Sequence, residues 1–534
     1  MPVQMLSPIS PALPRIALVG AGPTSAYTLA ALIDAPVALD ITIFEQGRQM
    51  GPGMPYNAAM NDPAMLSNIA SRELPPLIDS LHGWLSDLPV DQLAALHLAA
   101  DPQDEDAFHP RVVIGAWFTA QMAELIAQGR RRGHRIEARL RHRVTDVSPQ
   151  PEGIRLHWDS PDRSDSALFD EVVLATGHVW PDRSEDGADE VPLLSPWPAE
   201  KIARLPHDGI GVLGSSLSAI DVAVAIASAR GIFSDDQTVY TAAPRPGADP
   251  LHITLISRKG LLPEADYWYD LPLPDLPRLA ALTKGANVNL DAAYAAFTAD
   301  LAEADATYAA TLGLPLPLTN FAAAYYAPRL GADPFDHAAR NLTEAEATLE
   351  SRRATPWRSA LLRAHELFED ILPRLTEADL DRFHATLRPV FADCYACVPH
   401  TSIRRLLALH RAGHLDVVAT GADAALRSEG QEITLDTTPP RRFDAVIDAR
   451  GQRAHGLGTL GFPALTNSRL KAPLRFETYI LPLAEQTRGR VHCLALPVLL
   501  RRHPFVQGLV NAHDMANATA QAILARQAPP LAAE

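Results

Sequence analysis

The stretch Arg15-Ile-Ala-Leu-Val-Gly20-Ala-Gly22-Pro-Thr-Ser25 decides the fold. A short apolar strand runs into a Gly-x-Gly-x-x-Ser turn, and Ala- and Leu-rich sequence continues as a helix stopped near Asp34-Ala-Pro36. A second strand over 39–44 alternates apolar residues and ends at Glu45. This is a βαβ opening. In such a turn Gly20 and Gly22 bring backbone N–H groups and the helix dipole onto the pyrophosphate of a dinucleotide. Ser25 takes the place usually held by Gly or Ala and is small enough to let helix and strand approach. Glu45 stands at the strand end, where its carboxylate can accept from ribose hydroxyls. Stripped of that context, the same residues read as a tight turn with an exposed glutamate.

A second unit of the same kind begins with a strand over 210–213 and turns at Gly214-Ser-Ser-Leu-Ser-Ala219 before an apolar helix through 229. Ser216 occupies the second glycine's place, so Gly214, Ser215 and Ser216 form a degenerate phosphate turn. The next strand, 251–256, delivers Ser257-Arg258-Lys259-Gly260. A hydroxyl and two cations, where an NAD site offers an acid, suit a 2′-phosphate and predict NADPH rather than NADH. The other readings are a solvated basic loop and, for Ser216, a hydrolase nucleophile elbow. The elbow lacks its final Gly, and the first dinucleotide unit has no place in a hydrolase fold.

Two strands end alike, in Asp170-Glu-Val-Val-Leu-Ala-Thr176-Gly177-His178 and Phe443-Asp-Ala-Val-Ile-Asp-Ala-Arg450-Gly451. Each glycine lets backbone approach something flat or phosphorylated, or simply joins strand to loop. The fold class expected is α/β, two Rossmann-like dinucleotide-binding domains with a helical insertion. The division is 13–182 for the first segment of the first domain, closing near Pro181, and 205–275 for the second domain. A helical insertion over 276–391 would form a substrate wall or lid, and 392–530 would return to complete both domains. Further helices are expected at 113–127 and 508–525, and strands at 154–158, 171–175, 416–420, 433–435 and 445–449, with a loop over 159–166.

A chain of 534 residues, 47% apolar and 21% charged, can bury a large core. Its formal net charge of −16 argues against a nucleic-acid partner. No apolar run approaches the roughly 18–20 residues that span a bilayer, so no membrane partner and a cytoplasmic location are expected. With three cysteines there is no disulfide framework. Cys394-Tyr-Ala-Cys397 reads as two small buried thiols or as a redox dithiol. A zinc site would need a second pair of ligands beyond nearby His400, and no metal is expected.

Asp170-x-x-x-Leu174-Ala-Thr-Gly177-His178, lying between the two nucleotide turns with Pro181 soon after, resembles the signature of N-hydroxylating flavoprotein monooxygenases. Gly51-Pro-Gly53-Met-Pro-Tyr56, Leu66-Ser-Asn68, Phe108-His-Pro-Arg111, Gly214-Ser-Ser-Leu-Ser-Ala-Ile-Asp221 and Ser257-Arg-Lys-Gly-Leu-Leu-Pro263 resemble a large bacterial family of FAD/NAD(P)-binding proteins that includes aspartate N-hydroxylases. The likeness runs over nearly the whole chain and is loosest in the helical insertion. Arg450, where Thr is usual, departs from the family pattern.

The resemblance implies that Gly20, Gly22, Ser25 and Glu45 hold FAD, with Gly53, Tyr56 and Asn68 along the flavin loop, and Thr176 and Gly177 beside it. Gly214, Ser215, Ser216, Ser257, Arg258 and Lys259 would hold NADPH, and Gly451 ends the matching strand. Gly508 and Leu509, opening the last helix, would aim N–H groups at the flavin pyrimidine. The reaction implied is N-hydroxylation of a small primary amine or aspartate-like amino acid by NADPH and O2 through a C4a-hydroperoxyflavin. No general base is required. A carboxylate on that substrate would want a planar cation, for which Arg111, Arg329, Arg404 and Arg405 are candidates beside their reading as salt-bridge partners. The alternatives are a flavin or disulfide reductase working through Cys394 and Cys397, and a non-enzymatic redox sensor. An Ala-rich insertion would suit a homodimer.

Overall fold

The computed structural model describes residues 13–98, 104–178, 191–244, 249–285, 288–421, 425–430, 432–468, 474–475 and 477–527. Pro181 and the expected boundaries at 182 and 530 lie outside the described residues.

Ile16, Ala17 and Leu18 of the strand Arg15–Val19 are fully buried, because the strand pairs in parallel on both edges, with Asp40–Glu45 and with Glu171–Leu174. Arg135–Leu140 extends one side of this sheet and Arg490–Cys493 the other, giving five parallel strands with Arg15–Val19 at the centre. The helix Pro23–Leu32 covers the sheet and packs on Arg111–Arg131 and on the last helix, Leu509–Gln527. A three-stranded antiparallel sheet, Arg143–Gln150, Gly153–Asp159 and Ser164–Phe169, is inserted before Glu171–Leu174. Its last strand begins inside the loop expected over 159–166; the turn itself is short, with Ser160 and Arg163 bonded to each other.

The second sheet repeats the plan. Gly209–Leu213 lies between His252–Ser257 and Ala445–Asp448, with Leu415–Ala419 and Leu193–Leu194 at the edges, all parallel. In both sheets the glycine turn leaves the central strand, and the strand ending in Gly177 or Gly451 is its neighbour on the side away from the second strand of the βαβ unit. The two phrases singled out in the sequence are therefore equivalent positions, at the crevice where strand order reverses.

From Pro277–Leu282 to Arg388–Tyr395 the chain is helical. Phe297, Phe321, Phe368, Phe383 and Phe391 pack ring against ring at its centre. That centre is continuous with the core of the second sheet, whereas the first sheet has a core of its own. A buried ionic network completes the join. Glu264, just past the second domain's basic loop, is held by Arg358, while Arg329 pairs with Asp393 and donates to the Leu262 carbonyl at 2.6 Å.

Candidate functional site

Both central strands lead to one cavity of about 1850 Å³, beyond the roughly 300–1,000 Å³ of a pocket for one small ligand. Its first wall is the Gly20 turn. Gly20 has φ +95°, and a Cβ there would strike the Ala175 carbonyl, so only glycine fits. Gly22 stands against Gly53, with 3.3 Å between a Cβ on Gly22 and the Gly53 Cα. The first intrahelical bond runs from the Ala26 N–H to the Gly22 carbonyl, which leaves the amides ahead of it without helical partners. Ser25 is wholly buried and does more than save space: its hydroxyl donates to the Gly20 carbonyl at 2.5 Å, bracing the turn from behind. Glu45 braces it from the side, one oxygen accepting from the Ala21 N–H at 3.0 Å and the other from the Gly47 N–H at 2.6 Å, while still lining the cavity.

Gly53, Tyr56, Asn68, Thr176, Gly177, Gly508 and Leu509 line the same space. The Thr176 hydroxyl is buried there without a protein partner, as expected of a group that meets a ligand. The last helix begins at Leu509, with Gly508 ahead of it, at the cavity wall. A glycine cradle, exposed amides at a helix start and an orphaned hydroxyl together fit a bound dinucleotide.

The second turn contributes Ser216, Leu217, Ser218 and Asp221, and Gly451 comes from the neighbouring strand. Gly214 has φ +121°, and a Cβ there would lie 3.0 Å from the Ala449 carbonyl oxygen. Ser215 faces away from the cavity and donates to the Leu261 carbonyl at 2.6 Å; Ser257 accepts from the Gly260 N–H at 3.1 Å. Both hydroxyls shape the loop 257–261. Arg258 is exposed at the strand end, and the Lys259 ammonium sits 3.7 Å from the centroid of the Tyr326 ring.

The four arginine candidates separate cleanly. Arg111, opening its helix in the first domain, lines the cavity and pairs at 3.1 Å with buried Asp221 of the second domain. Beside it His178 is held neutral, its pKa pushed down to about 4 by burial and by the Arg111 charge. Arg329 does not line the cavity; it is buried in the ionic network with Asp393 and Glu264. Arg404 pairs with Glu346 at 2.5 Å, and Arg405 donates to the Ala64 carbonyl and the Gln237 side chain at 2.7 Å each. Those three hold elements together.

The far wall was not expected from the sequence residue by residue. It is built by Arg363, Glu366, Glu369 and Asp370 of the helix Pro356–Ile371, by Arg388, Ala392 and Tyr395 of the helix Arg388–Tyr395, and by Ala396, which caps it. The spacing 388, 392, 395, 396 is one helical face, and it was the signal available. From the first domain Glu73 joins the lining, accepting a hydrogen bond from Tyr269; burial raises its carboxyl above the usual range. Cys394, on another side of the helix Arg388–Tyr395, and Cys397, just past its end, lie outside the cavity. Both are free and buried; burial pushes the Cys394 thiol up to about 12 and the Cys397 thiol up as well. Among the described residues no cluster of His, Cys, Asp and Glu could hold a metal ion, and no helix is long and apolar enough to cross a membrane.

Two parallel sheets, each delivering a glycine turn to one cavity, define a protein with two dinucleotide-binding domains. Residues 17–179 match a family profile described as FAD-NAD(P)-binding, and 277–395 match one described as YdhS-like middle domain. The chain belongs to the YdhS family: it is 37% identical over 525 residues to the uncharacterized protein YdhS of Escherichia coli K12, covering 96% of this chain and 97% of that one. Among solved structures it resembles the ornithine N-hydroxylase of Kutzneria sp. 744, a complex with reduced FAD, NADP⁺ and L-ornithine, at TM-score 0.52 and 14% identity, over 97% of this chain and 100% of that one. The reduced ornithine hydroxylase of Pseudomonas aeruginosa matches at TM-score 0.53 and 13% identity, with the same coverage. These likenesses give the fold.

Proposed function

We propose that this chain is an NADPH-dependent FAD monooxygenase that N-hydroxylates a small primary amine or amino acid, aspartate-like in carrying a carboxylate. The observation that carries the reading is the single cavity onto which both nucleotide domains and the helical insertion open. Gly20, Gly22 and Glu45 seat the FAD pyrophosphate and ribose, and Ser25 stiffens the turn from outside the cavity. Gly53, Tyr56, Asn68, Thr176 and Gly177 flank the flavin. Gly508 and Leu509 direct amides toward its pyrimidine edge, where negative charge builds on reduction. Gly214 and Ser216 approach the NADPH phosphates; Arg258, with Lys259, takes the 2′-phosphate, and Ser215 and Ser257 shape the loop that presents them. Gly451 lets backbone come close beside them. FAD reduced by NADPH supplies the activation of O2 for transfer to the amine nitrogen.

The Arg111–Asp221 pair ties the two domains where the nucleotides would meet, and neutral His178 adds no charge beside it. The fold shared with ornithine hydroxylases over nearly the whole chain supports the reading. Against the reductase alternative, Cys394 and Cys397 are buried, protonated and off the cavity. NADPH consumption coupled to product, measured by mass spectrometry across amines and amino acids beginning with aspartate, tests the proposal. A product one oxygen heavier than its amine supports it; hydrogen peroxide as the sole fate of oxygen with every amine rejects it.

A further inference from the structure

On the insertion's wall one cation has no partner among the described residues. Arg388 opens the helix Arg388–Tyr395 and lines the cavity on the same face as Ala392, Tyr395 and Ala396. Its Nε is buried without a hydrogen-bond acceptor, and among the described residues its guanidinium has no ion pair. The Nε of Arg111 is likewise buried without an acceptor, but the other cavity arginines of this interior are ion-paired: Arg363 with Glu366 at 2.7 Å, Arg111 with Asp221, and Arg72 with Asp106 at 2.8 Å. Arg143 stands exposed at the Glu45 end, its neighbour His142 bonded through its amide to the Glu45 carbonyl. An arginine with a buried, unsatisfied Nε is costly unless an anion completes it.

The location narrows the anion. Tyr395, on the same face, packs at 5.5 Å on Phe505, in the segment that leads into Gly508 and the last helix. Arg388 therefore shares a helical face with the residue that packs on the segment leading to the helix start assigned to the flavin ring. The same wall carries Glu366, Glu369, Asp370 and, from the last helix, Asp514. Arg363 on that wall is taken up by Glu366, and Glu369 faces His503 at 2.7 Å, so Arg388 is the arginine left for the carboxylate of a zwitterion whose ammonium turns toward the acids.

We infer that Arg388 is the specificity-determining anchor for the carboxylate of an amino-acid substrate. This rests on the N-hydroxylase reading for its word substrate, but the anion capture itself does not. Calorimetric titration of the FAD-loaded protein, without NADPH, with L-aspartate, L-glutamate and L-2-aminoadipate, dicarboxylates that also carry the ammonium, reads it without turnover. The wild type binds at least one of these dicarboxylates, and Arg388→Gln weakens that binding about ten- to a hundredfold. Arg427→Gln, an exposed arginine off the cavity that pairs with Asp436 at 3.0 Å, leaves it within about twofold, and both variants keep the wild-type affinity for NADP⁺. Arg388→Lys, which keeps the charge without the fork, gives an intermediate loss and serves if Arg388→Gln does not fold. The inference is overturned if no dicarboxylate binds, or if the Arg388 variants bind dicarboxylates as the wild type does. It is likewise overturned if they lose NADP⁺ affinity instead, which would make the anion a cofactor phosphate. Dicarboxylate capture by Arg388 together with an amine panel that yields no oxygenated product would sink the reaction and keep the site.

Discussion

Ser25 shows what one side chain adds to a glycine turn. Its size was legible in the sequence, but its hydrogen bond to the Gly20 carbonyl was not, because a pattern of small residues says nothing about where a hydroxyl points. Ser25→Gly keeps the close helix–strand approach and loses only the brace, so the purified variant should retain FAD. Gly22→Val puts branched carbon against the Gly53 backbone, 3.3 Å from its Cα already at the Cβ, and should lose FAD; absorbance at the flavin bands, per mole of protein, checks both. The cysteines make a complementary case. Buried thiols held well above neutral pH are poor nucleophiles, so Cys394→Ser with Cys397→Ser should leave turnover of NADPH within about twofold. Abolished turnover in that double variant would revive the dithiol reading. His178 titrates in the folded protein near 4 rather than its ordinary 6.5. As pH falls through that window the unfolded chain takes a proton that the folded chain refuses, so stability drops. His178→Asn should flatten that part of the curve of melting temperature against pH.

At the scale of elements, the strands buried on both faces were the readable ones. Arg15–Val19, Gly209–Leu213 and Ala445–Asp448 carry apolar runs because neighbours cover them on both sides. Arg135–Leu140 and Arg143–Gln150 escaped notice: the first is an edge strand exposing alternate polar residues, and the second carries Pro149. The loop after His252–Ser257 is the 2′-phosphate site we propose; there Arg258 is exposed and Lys259 rests on Tyr326. Arg258→Ala should raise the KM for NADPH about ten- to a hundredfold while leaving that for NADH nearly unchanged; steady-state kinetics with both nucleotides would expose an error, since equal effects deny the phosphate contact. Arg329 belongs to the scaffold behind this loop. Replacing it with Met strands Asp393, while Glu264 keeps Arg358, and should cost about 3 to 5 kcal/mol of stability, seen in chemical denaturation.

Over the whole molecule, what the sequence could not show was convergence. Each nucleotide turn announces itself within thirty or so residues of chain, but which side chains of the insertion face the flavin end depends on packing between segments hundreds of residues apart. Arg329, Arg404 and Arg405 are reasonable choices by residue type but lie off the cavity, whereas Arg388 lines it and, as a single arginine on a short helix, carries no local signal. The insertion shares its core with the second domain, so the wall and the nucleotide loop form one body against which the first domain closes the cavity. The account stands on both nucleotides meeting there. Anaerobic mixing of the FAD-loaded protein with NADPH, followed at the flavin absorbance, tests this most directly. The prediction is full bleaching of the oxidised flavin, faster with NADPH than with NADH; a flavin that stays oxidised with both nucleotides would contradict it.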